Sequence, residues 1–157
     1  MAITLEGIGL LQIPILLGLV ASAVFYLIEI YSARQFFRPR RHAASTYRPA
    51  ITVLKPLKGL DIGLYENLVT LCQQRYSAPL QLIFGVADAH DPAGGVVRRL
   101  QREFPRLDID LVVDGRVYGT NYKVSNLHNM YRHAKHDVIV LADSDIRVSP
   151  SYLSHVV

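Results

Sequence analysis

The stretch Val138-Ile-Val-Leu-Ala-Asp-Ser-Asp145 decides the fold of this chain. It opens with an unbroken apolar run, which is typical of a buried strand in a parallel sheet. Two aspartates follow with a single residue between them, so a strand would send both side chains to the same side. Carboxylate oxygens at this spacing suit a divalent cation and the diphosphate that it holds. Taken alone, the triplet is a weak signal, because Asp-x-Asp is common in turns.

Strand and helix patterns alternate through the sequence that precedes this stretch. Strands are predicted at residues 51–54, 80–87, 109–113 and 138–142. Helices are predicted at residues 64–74, 95–104 and 123–134, and Ser149-Pro150 marks the start of another. The helix at 123–134 is predicted to face the core through Val124, Leu127, Tyr131 and Ala134. The alternation indicates an α/β fold with a mostly parallel sheet.

Charged residues follow each of the predicted strands. In open parallel sheets, ligands bind beyond the carboxyl ends of the strands, so these residues would share one edge of the sheet. In chain order they are Lys55, Asp88, Asp91, Asp114, Asp143 and Asp145. A turn or a helix cap explains any single one of them, but the coincidence at several strand ends favours a binding site.

The acidic members of this set have separate candidate roles. Asp143 and Asp145 form a candidate pair for Mg²⁺ or Mn²⁺, and such an ion would neutralise charge on a departing nucleoside diphosphate. Asp88 and Asp91 are candidate acceptors for the N–H or O–H donors of the base or the ribose.

Basic and amide side chains complete the candidate set. Lys55 and Lys123 are candidate phosphate contacts, although lysines in proteins are usually only solvated. Asn121 and Asn126 are either neutral donors to the same ligand or, equally well, a helix cap and an amide at the edge of the core.

Several other kinds of site find no support. The sequence contains neither G-x-x-x-x-G-K-[ST] nor a G-x-G-x-x-G motif after the first predicted strand. Its histidines lack a spacing with Cys or carboxylates that would indicate zinc. The one cysteine, Cys72, excludes an intrachain disulfide, agrees with a reducing compartment and is predicted to be a structural thiol.

The segment from Gly7 to Ile28 contains no charged residue over 22 positions. About 20 apolar residues suffice to cross a bilayer as a helix. The alternative is a cleaved signal peptide, for which Ala21-Ser22-Ala23 offers a cleavage site. Glu6 before the segment and the apolar character that continues to Ile30 oppose this alternative. Residues 1–33 are therefore predicted to be a retained transmembrane anchor.

Basic residues concentrate directly after the anchor. Seven lie between Arg34 and Lys58 without any acidic residue, so the rest of the chain carries −3 although the total is +4. The positive-inside rule places the domain that follows in the cytoplasm. The cluster suits anionic lipid head groups or, equally, serves only as a topology signal, and it is not the broad basic face of a nucleic-acid binder. Residues 34–49 are predicted to be a juxtamembrane linker and residues 50–157 one small domain.

Five motifs occur in order along the chain: Val53-Leu-Lys-Pro-Leu-Lys-Gly59, Glu66-Asn-Leu68, Val86-Ala-Asp-Ala-His-Asp-Pro92, Gly119-x-Asn-x-Lys-x-x-Asn-Leu127 and Asp143-Ser-Asp-Ile-Arg147. This ordered set resembles the ceramide glucosyltransferase family and covers most of the chain after the linker. Members of that family are membrane-anchored enzymes with a GT-A fold. Residues 121–127 and 142–145 look closer to a bacterial branch that includes a glycosyltransferase associated with hopanoid biosynthesis.

The resemblance implies an enzyme, in a bacterial inner membrane, that transfers a sugar with inversion from a UDP-sugar to a lipid hydroxyl. Ceramide, a hopanoid alcohol and a glycerolipid are the candidate acceptors. Asp91 and Asp143 match the first and second essential aspartates of the family, and Asp88 is implied to lie beside the nucleotide. The resemblance makes Asp145 the second member of the metal pair. Lys123 and Asn126 match the Lys-x-x-Asn element of the family.

Two further elements of the family have no counterpart in these residues. They are the third aspartate, which is the expected general base, and the (Gln/Arg)-x-x-Arg-Trp motif, and both are expected beyond Val157. No catalytic residue is therefore predicted here, and the 157 residues alone are expected to lack turnover. Two alternatives stay open: a non-catalytic, membrane-tethered module that binds a nucleotide-sugar or a partner, and a lipid-binding anchor with an inert domain.

Overall fold

The computed structural model of the protein describes residues 12–38 and 47–157. The chain divides into two compact units, Met1–Ala44 and Ser45–Val157. Within its described residues, the first unit contains one helix, α1 (Gln12–Phe36, 25 residues), and none of the helix residues is buried. Its length and its mean hydropathy of 2.2 are sufficient for a membrane crossing. Ala21-Ser22-Ala23 lies inside this helix.

The boundaries predicted for the anchor and the linker fall partly outside the described residues. Residues 1–11 of the anchor and residues 39–46 of the linker are not described. At the start of the predicted linker, Arg34–Phe36 still belong to α1. The division at 1–33, 34–49 and 50–157 stays a prediction.

Among the described residues, the second unit is built on a four-stranded parallel sheet. Its strands are β1 (Ile51–Pro56), β2 (Leu80–Val86), β3 (Asp108–Val113) and β4 (Val138–Leu141). Their spatial order is β3-β2-β1-β4, and Ile51 in the central β1 pairs with both Leu80 and Val138. The parallel arrangement confirms the predicted fold class and brings all four carboxyl ends to one edge.

Helices follow the strands in the predicted alternation. They are α2 (Leu64–Cys72), α3 (Ala93–Glu103), α4 (Tyr122–Tyr131) and α5 (Tyr152–Val156). The predicted helix start at Ser149-Pro150 is wrong, because the residue that precedes α5 is Ser151. The carbonyl oxygen of Pro150 accepts a hydrogen bond from the N–H of Arg75 at 2.7 Å, so this turn is fastened to the chain after α2 before α5 begins.

Two apolar clusters cover the two faces of the sheet. The larger cluster packs α2, α3 and α5 against one face through buried residues that include Leu64, Leu68, Leu71, Val97, Leu100 and Leu153. The smaller cluster packs α4 against the other face and contains Leu54, Ile83, Val112 and Met130. The sheet is thus covered on both sides, which explains the largely apolar sequences of β1, β2 and β4, whereas the edge strand β3 contains Asp108 and Asp110.

The buried face of α4 differs from the predicted one. Val124 and Tyr131 were expected in the core, yet they are 57% and 59% exposed. Leu127 and Ala134 do lie partly buried against the smaller cluster. The helix instead buries a polar face of Ser125, Asn126 and Asn129 beside Met130.

Hydrogen bonds to the main chain explain this polar face. Asn126 Nδ2 donates to the carbonyl oxygen of Gly85 at 2.9 Å, and Asn129 Nδ2 donates to that of Arg116 at 3.0 Å. Ser125 Oγ accepts from the N–H of Tyr118 at 3.0 Å. Polar side chains can be buried at little cost when they find such partners, so α4 faces the sheet through amides and a hydroxyl. Asn129 Oδ1 is the exception on this face, since it is buried without a partner among the described residues.

Cys72 lies at the end of α2 in the larger cluster. Burial, with a smaller contribution from the charge of Glu103, raises the pKa of its thiol to about 12. The thiol therefore stays protonated and packs as a small apolar side chain, which agrees with its predicted structural role.

Candidate functional site

A cleft of about 1180 Å³ opens beyond the carboxyl ends of β1, β2 and β4. It is lined by segments that follow these three strands and by the first turns of α4. Six of the residues predicted to form a site line it together: Asp88, Asp91, Lys123, Asn126, Asp143 and Asp145. Sequence reasoning missed its other polar residues, which are Lys58, Asp61, His90, Tyr122 and Ser144.

Lys123 and Asp143 face each other across the cleft. Lys123 Nζ forms an ion pair with Asp143 Oδ1, and both side chains are more than half exposed. Exposed pairs of this kind contribute little to stability, so both groups can exchange their partner for a ligand. Lys123 is presented by the first turn of α4, where Asn121 Oδ1 caps the helix by accepting from the N–H of Val124 at 3.2 Å. Of the two roles considered for Asn121, the structure shows the helix cap.

Asp91 accepts hydrogen bonds from the main chain of two different segments. Its two carboxylate oxygens each accept from the N–H of Gly59 at 3.0 Å, and Oδ1 also accepts from the N–H of Ala93 at 2.9 Å. Gly59 lies in the loop after β1 and has a φ of 67°, a backbone conformation that favours glycine. Asp91 therefore fastens the β1–α2 loop to the start of α3.

Asp88 is a more open acceptor. Its Oδ1 accepts from the backbone N–H of His90 at 2.8 Å, and the side chain is 70% exposed. This hydrogen bond, followed by the one to the His90 ring, lowers the pKa of Asp88 from its ordinary value. The carboxylate stays ionised at neutral pH and can accept further donors.

A second contact ties the β1–α2 loop to the aspartate pair. Ser144, between Asp143 and Asp145, donates through Oγ to Asp61 Oδ2 at 2.9 Å. Asp61 thus brings a further carboxylate to the cleft, beside the Asp143–Asp145 pair. No sequence pattern singles it out, because it lies within a loop and not directly at a strand end.

Lys55 does not occupy the position that was predicted for it. Its side chain is fully buried at the end of β1 and does not line the cleft. Burial lowers the pKa of Lys55 to about 8, and the charges of Asp145 and then Asp143 oppose this shift. The interpretation of Lys55 as an open phosphate contact is corrected by this burial.

Asp114 also lies apart from the cleft. It lines a separate depression of about 340 Å³ along β3. Side-chain hydrogen bonds from Arg116, at distances of 3.0 Å from Nε and 2.5 Å from Nη2, lower the pKa of Asp114 to about 2. Asp114 therefore pairs with an arginine two residues further along the chain. This local contact agrees with the alternative interpretation of Asp114 as a turn residue.

The donor set suits a cation that is shared with a phosphate ligand. In the described part of the chain, no group of three or more His, Cys, Asp or Glu side chains could hold a metal ion. Asp143 and Asp145 supply two carboxylates at the cleft. Mg²⁺ is commonly held by one or two carboxylates and completed by phosphate oxygens and water, so these residues fit such an ion.

Solved structures with the same architecture define the class of fold. A mannosyltransferase, PcManGT from Pyrobaculum calidifontis in complex with GDP-Man and Mn²⁺, matches with a TM-score of 0.66 and 24% identity over 88% of this chain and 41% of that chain. TarS 1-349 from S. aureus, in complex with UDP-GlcNAc, matches with a TM-score of 0.51 and 15% identity over 68% of this chain and 30% of that chain. The parallel sheet with its edge cleft is therefore a GT-A fold.

The sequence then identifies the family. Residues 14–157 match Glycosyl transferase family 21, and the chain belongs to this family. Ceramide glucosyltransferase 1 of Caenorhabditis elegans is 30% identical over 148 residues, which cover 93% of this chain and 31% of that protein. The resemblance to ceramide glucosyltransferases is confirmed, while the likeness to the hopanoid branch stays a prediction. The chain spans about a third of the length of such relatives.

Proposed function

We propose that the protein binds the donor substrate of a membrane-bound glycosyltransferase, which transfers a sugar with inversion from a UDP-sugar to a lipid hydroxyl. The observation that carries this proposal is the cleft itself. It collects Asp88, Asp143 and Asp145 with Lys123 at the carboxyl ends of parallel strands, where α/β sheets bind their ligands.

The exposed pair of Lys123 and Asp143 suggests how a diphosphate enters. The Lys123 ammonium exchanges the carboxylate of Asp143 for a phosphate oxygen. Asp143, freed from the lysine, then faces the cleft together with Asp145. When bound there, Mg²⁺ or Mn²⁺ supplies compensation for the charge that develops on the leaving diphosphate.

The other cleft residues bind and position the nucleotide in this proposal. Asp88 accepts hydrogen bonds from the base or the ribose through its exposed carboxylate. Asp91 acts on the same ligand mainly by holding the loop at Gly59 in place, since its oxygens accept main-chain N–H groups. Asn126 keeps the start of α4, and with it Lys123, close to the end of β2.

The comparisons support the choice of substrates. PcManGT is in complex with GDP-Man and Mn²⁺ and TarS with UDP-GlcNAc, which supports a nucleotide-sugar donor and a divalent cation. The ceramide glucosyltransferases support a lipid acceptor and favour ceramide over a hopanoid alcohol or a glycerolipid. The apolar helix α1 supports a membrane location, and the basic residues after it favour a cytoplasmic domain. The proposal of a bacterial inner membrane rests only on the likeness to the hopanoid branch.

Calorimetric titration of the whole chain in detergent micelles tests the proposal. We expect UDP to bind in the presence of Mn²⁺, and we expect Asp143→Ala to abolish the part of the affinity that depends on Mn²⁺. Asp137→Ala is the matched control, because Asp137 is an exposed aspartate just before β4 whereas Asp143 follows this strand.

The outcomes separate the candidate functions. Failure of the unaltered chain to bind UDP with Mn²⁺ would refute a donor site in these residues. UDP binding that is independent of Mn²⁺ and unchanged in Asp143→Ala would favour the alternative of a non-catalytic nucleotide-sugar-binding module. Equal losses in Asp143→Ala and Asp137→Ala would show a general effect of charge and not a site.

A further inference from the structure

Lys55 is an anomaly within the core of the second unit. Its side chain is fully buried, and its Nζ has no hydrogen-bond partner among the described residues. Lysine is almost never fully buried unless its charge is compensated, because desolvating an ammonium is costly. A nearby negative charge must therefore compensate it.

The position of Lys55 indicates which charges do so. The carbonyl oxygen of Leu54, the preceding residue, accepts from the N–H of Ala142 at 3.1 Å. Lys55 therefore lies beside the end of β4, from which Asp143 and Asp145 continue. These two carboxylates are also the charges that hold its pKa up, with Asp145 acting more strongly.

We propose that Lys55 is a positioning residue that acts as a built-in counter-ion for the Asp143–Asp145 pair. This inference rests on the proposed role of that pair in holding a cation. The buried ammonium balances the two carboxylates from the core side of the cleft while Lys123 contacts Asp143 from the open side. With both lysines in place, the pair carries no net charge before a ligand arrives.

The charge balance has a definite effect on binding order. A free divalent cation gains little from a carboxylate pair that is already neutralised by two ammonium groups. A nucleoside diphosphate brings several negative charges and so restores the attraction for the cation. Lys55 therefore favours joint binding of the cation and the diphosphate. It weakens the binding of a cation when no nucleotide is bound, both before the nucleotide arrives and after it has left.

Replacement of Lys55 tests this inference through binding. For the whole chain in detergent, we expect Lys55→Met to increase the affinity for Mn²⁺ alone on the order of tenfold, measured as free Mn²⁺ by electron paramagnetic resonance. We expect the same change to weaken the binding of UDP without metal, because the carboxylate pair then repels the diphosphate. A purely structural role for Lys55 would not produce two effects of opposite sign.

Lys135→Met is the matched control for the loss of one positive charge. Lys135 pairs with Asp108 at the opposite edge of the sheet, at 2.7 Å, so its removal should change neither affinity. Unchanged or weaker Mn²⁺ binding in Lys55→Met would overturn the inference. The donor site itself is tested separately, by Mn²⁺-dependent UDP binding of the unaltered chain and its loss in Asp143→Ala. If that test succeeds while Lys55→Met fails to strengthen Mn²⁺ binding, only the counter-ion role of Lys55 is refuted.

A second measurement does not require Lys55→Met to fold. Asp145 is an exposed residue, and an exposed aspartate usually contributes little to stability. If its carboxylate compensates Lys55, Asp145→Asn should lower the melting temperature of the metal-free chain, whereas Asp137→Asn should not. Equal melting temperatures for Asp145→Asn and the unaltered chain would contradict the inference.

Discussion

The side-chain amide of Asn126 lies 2.9 Å from the carbonyl oxygen of Gly85 and donates a hydrogen bond to it. This bond joins α4 to the end of β2. Gly85 permits the close approach because it has no side chain: a methyl group there would overlap the sulfur of Met130 and, at 2.5 Å, Oδ1 of Asn126. The contact fixes the start of α4 and thereby the position of Lys123 at the cleft.

Gly85→Ala should therefore destabilise the second unit. We expect the free energy of unfolding to fall by about 1–3 kcal/mol, because Met130 and Asn126 must shift to admit the methyl group. Chemical denaturation of the detergent-solubilised chain, followed by circular dichroism, measures this change. Gly95→Ala is the control: Gly95 is exposed on α3 with open space around it, so alanine there should stabilise by about 0.4–1 kcal/mol.

Lys123 and Asn126 should separate binding from stability. Lys123→Ala removes an exposed ammonium, so we expect weaker UDP binding and an unchanged melting temperature. Asn126→Ala removes one of two donors to the carbonyl of Gly85, which keeps the N–H of Leu57 at 2.8 Å, so we expect a loss of about 0.5–1.5 kcal/mol in stability. Calorimetric titration and thermal denaturation of both variants check the contrast. A large stability loss in Lys123→Ala would show that its ion pair is structural after all.

Asp91 should prove to be a structural residue of the loop as well as a cleft residue. Asp91→Ala removes the acceptor for Gly59 and Ala93, and we expect it to cost about 1–2 kcal/mol. Hydrogen exchange should show faster exchange of the Gly59 amide. Asp88→Ala serves as the control, since the carboxylate of Asp88 accepts only from His90 among the contacts described. If Gly59 stays protected in Asp91→Ala, the carboxylate does not hold the loop.

Cys72 predicts how stability depends on alkaline pH. The thiol keeps its proton up to a pKa of about 12 in the folded chain, against an ordinary value of 9.0. Between these values the unfolded chain binds fewer protons, so stability that is fully present below pH 9 should fall by about 1.4 kcal/mol for each pH unit above it. Denaturation curves at several pH values, compared with those of Cys72→Ala, isolate this effect. Parallel pH profiles for the two proteins would argue against a buried, protonated thiol.

The strands were predictable because apolar residues dominate most of them, and β1 and β2 are buried on both faces. Apolar runs mark β1, β2 and β4, and the predicted bounds agree with the structure within two residues. The collection of acidic residues at one edge followed from parallel topology, and Asp88, Asp91, Asp143 and Asp145 do line one cleft. These features depend on local pattern and on strand direction, both of which are readable from sequence.

The errors arise where a distant backbone group decides the outcome. Apolar spacing alone places Val124 and Tyr131 in the core. In the structure, the carbonyl of Gly85 in β2 and that of Arg116 after β3 accept from Asn126 and Asn129, which draws these amides to the buried side of α4. The burial of Lys55 was equally unreadable, because nothing local distinguishes it from a solvated lysine. Such positions become visible only when the partners from other strands are in place.

β1 is one of the two inner strands of the sheet although it is the first strand along the chain. Its neighbour β2 leaves the ribosome soon afterwards, whereas Val138, the partner of Ile51 on the other flank, is 87 positions later in the sequence. During translation, that flank of β1 has no strand to pair with until β4 has been synthesised. We therefore expect the nascent chain to need chaperone protection, or prompt elongation, to avoid pairing with a second nascent copy.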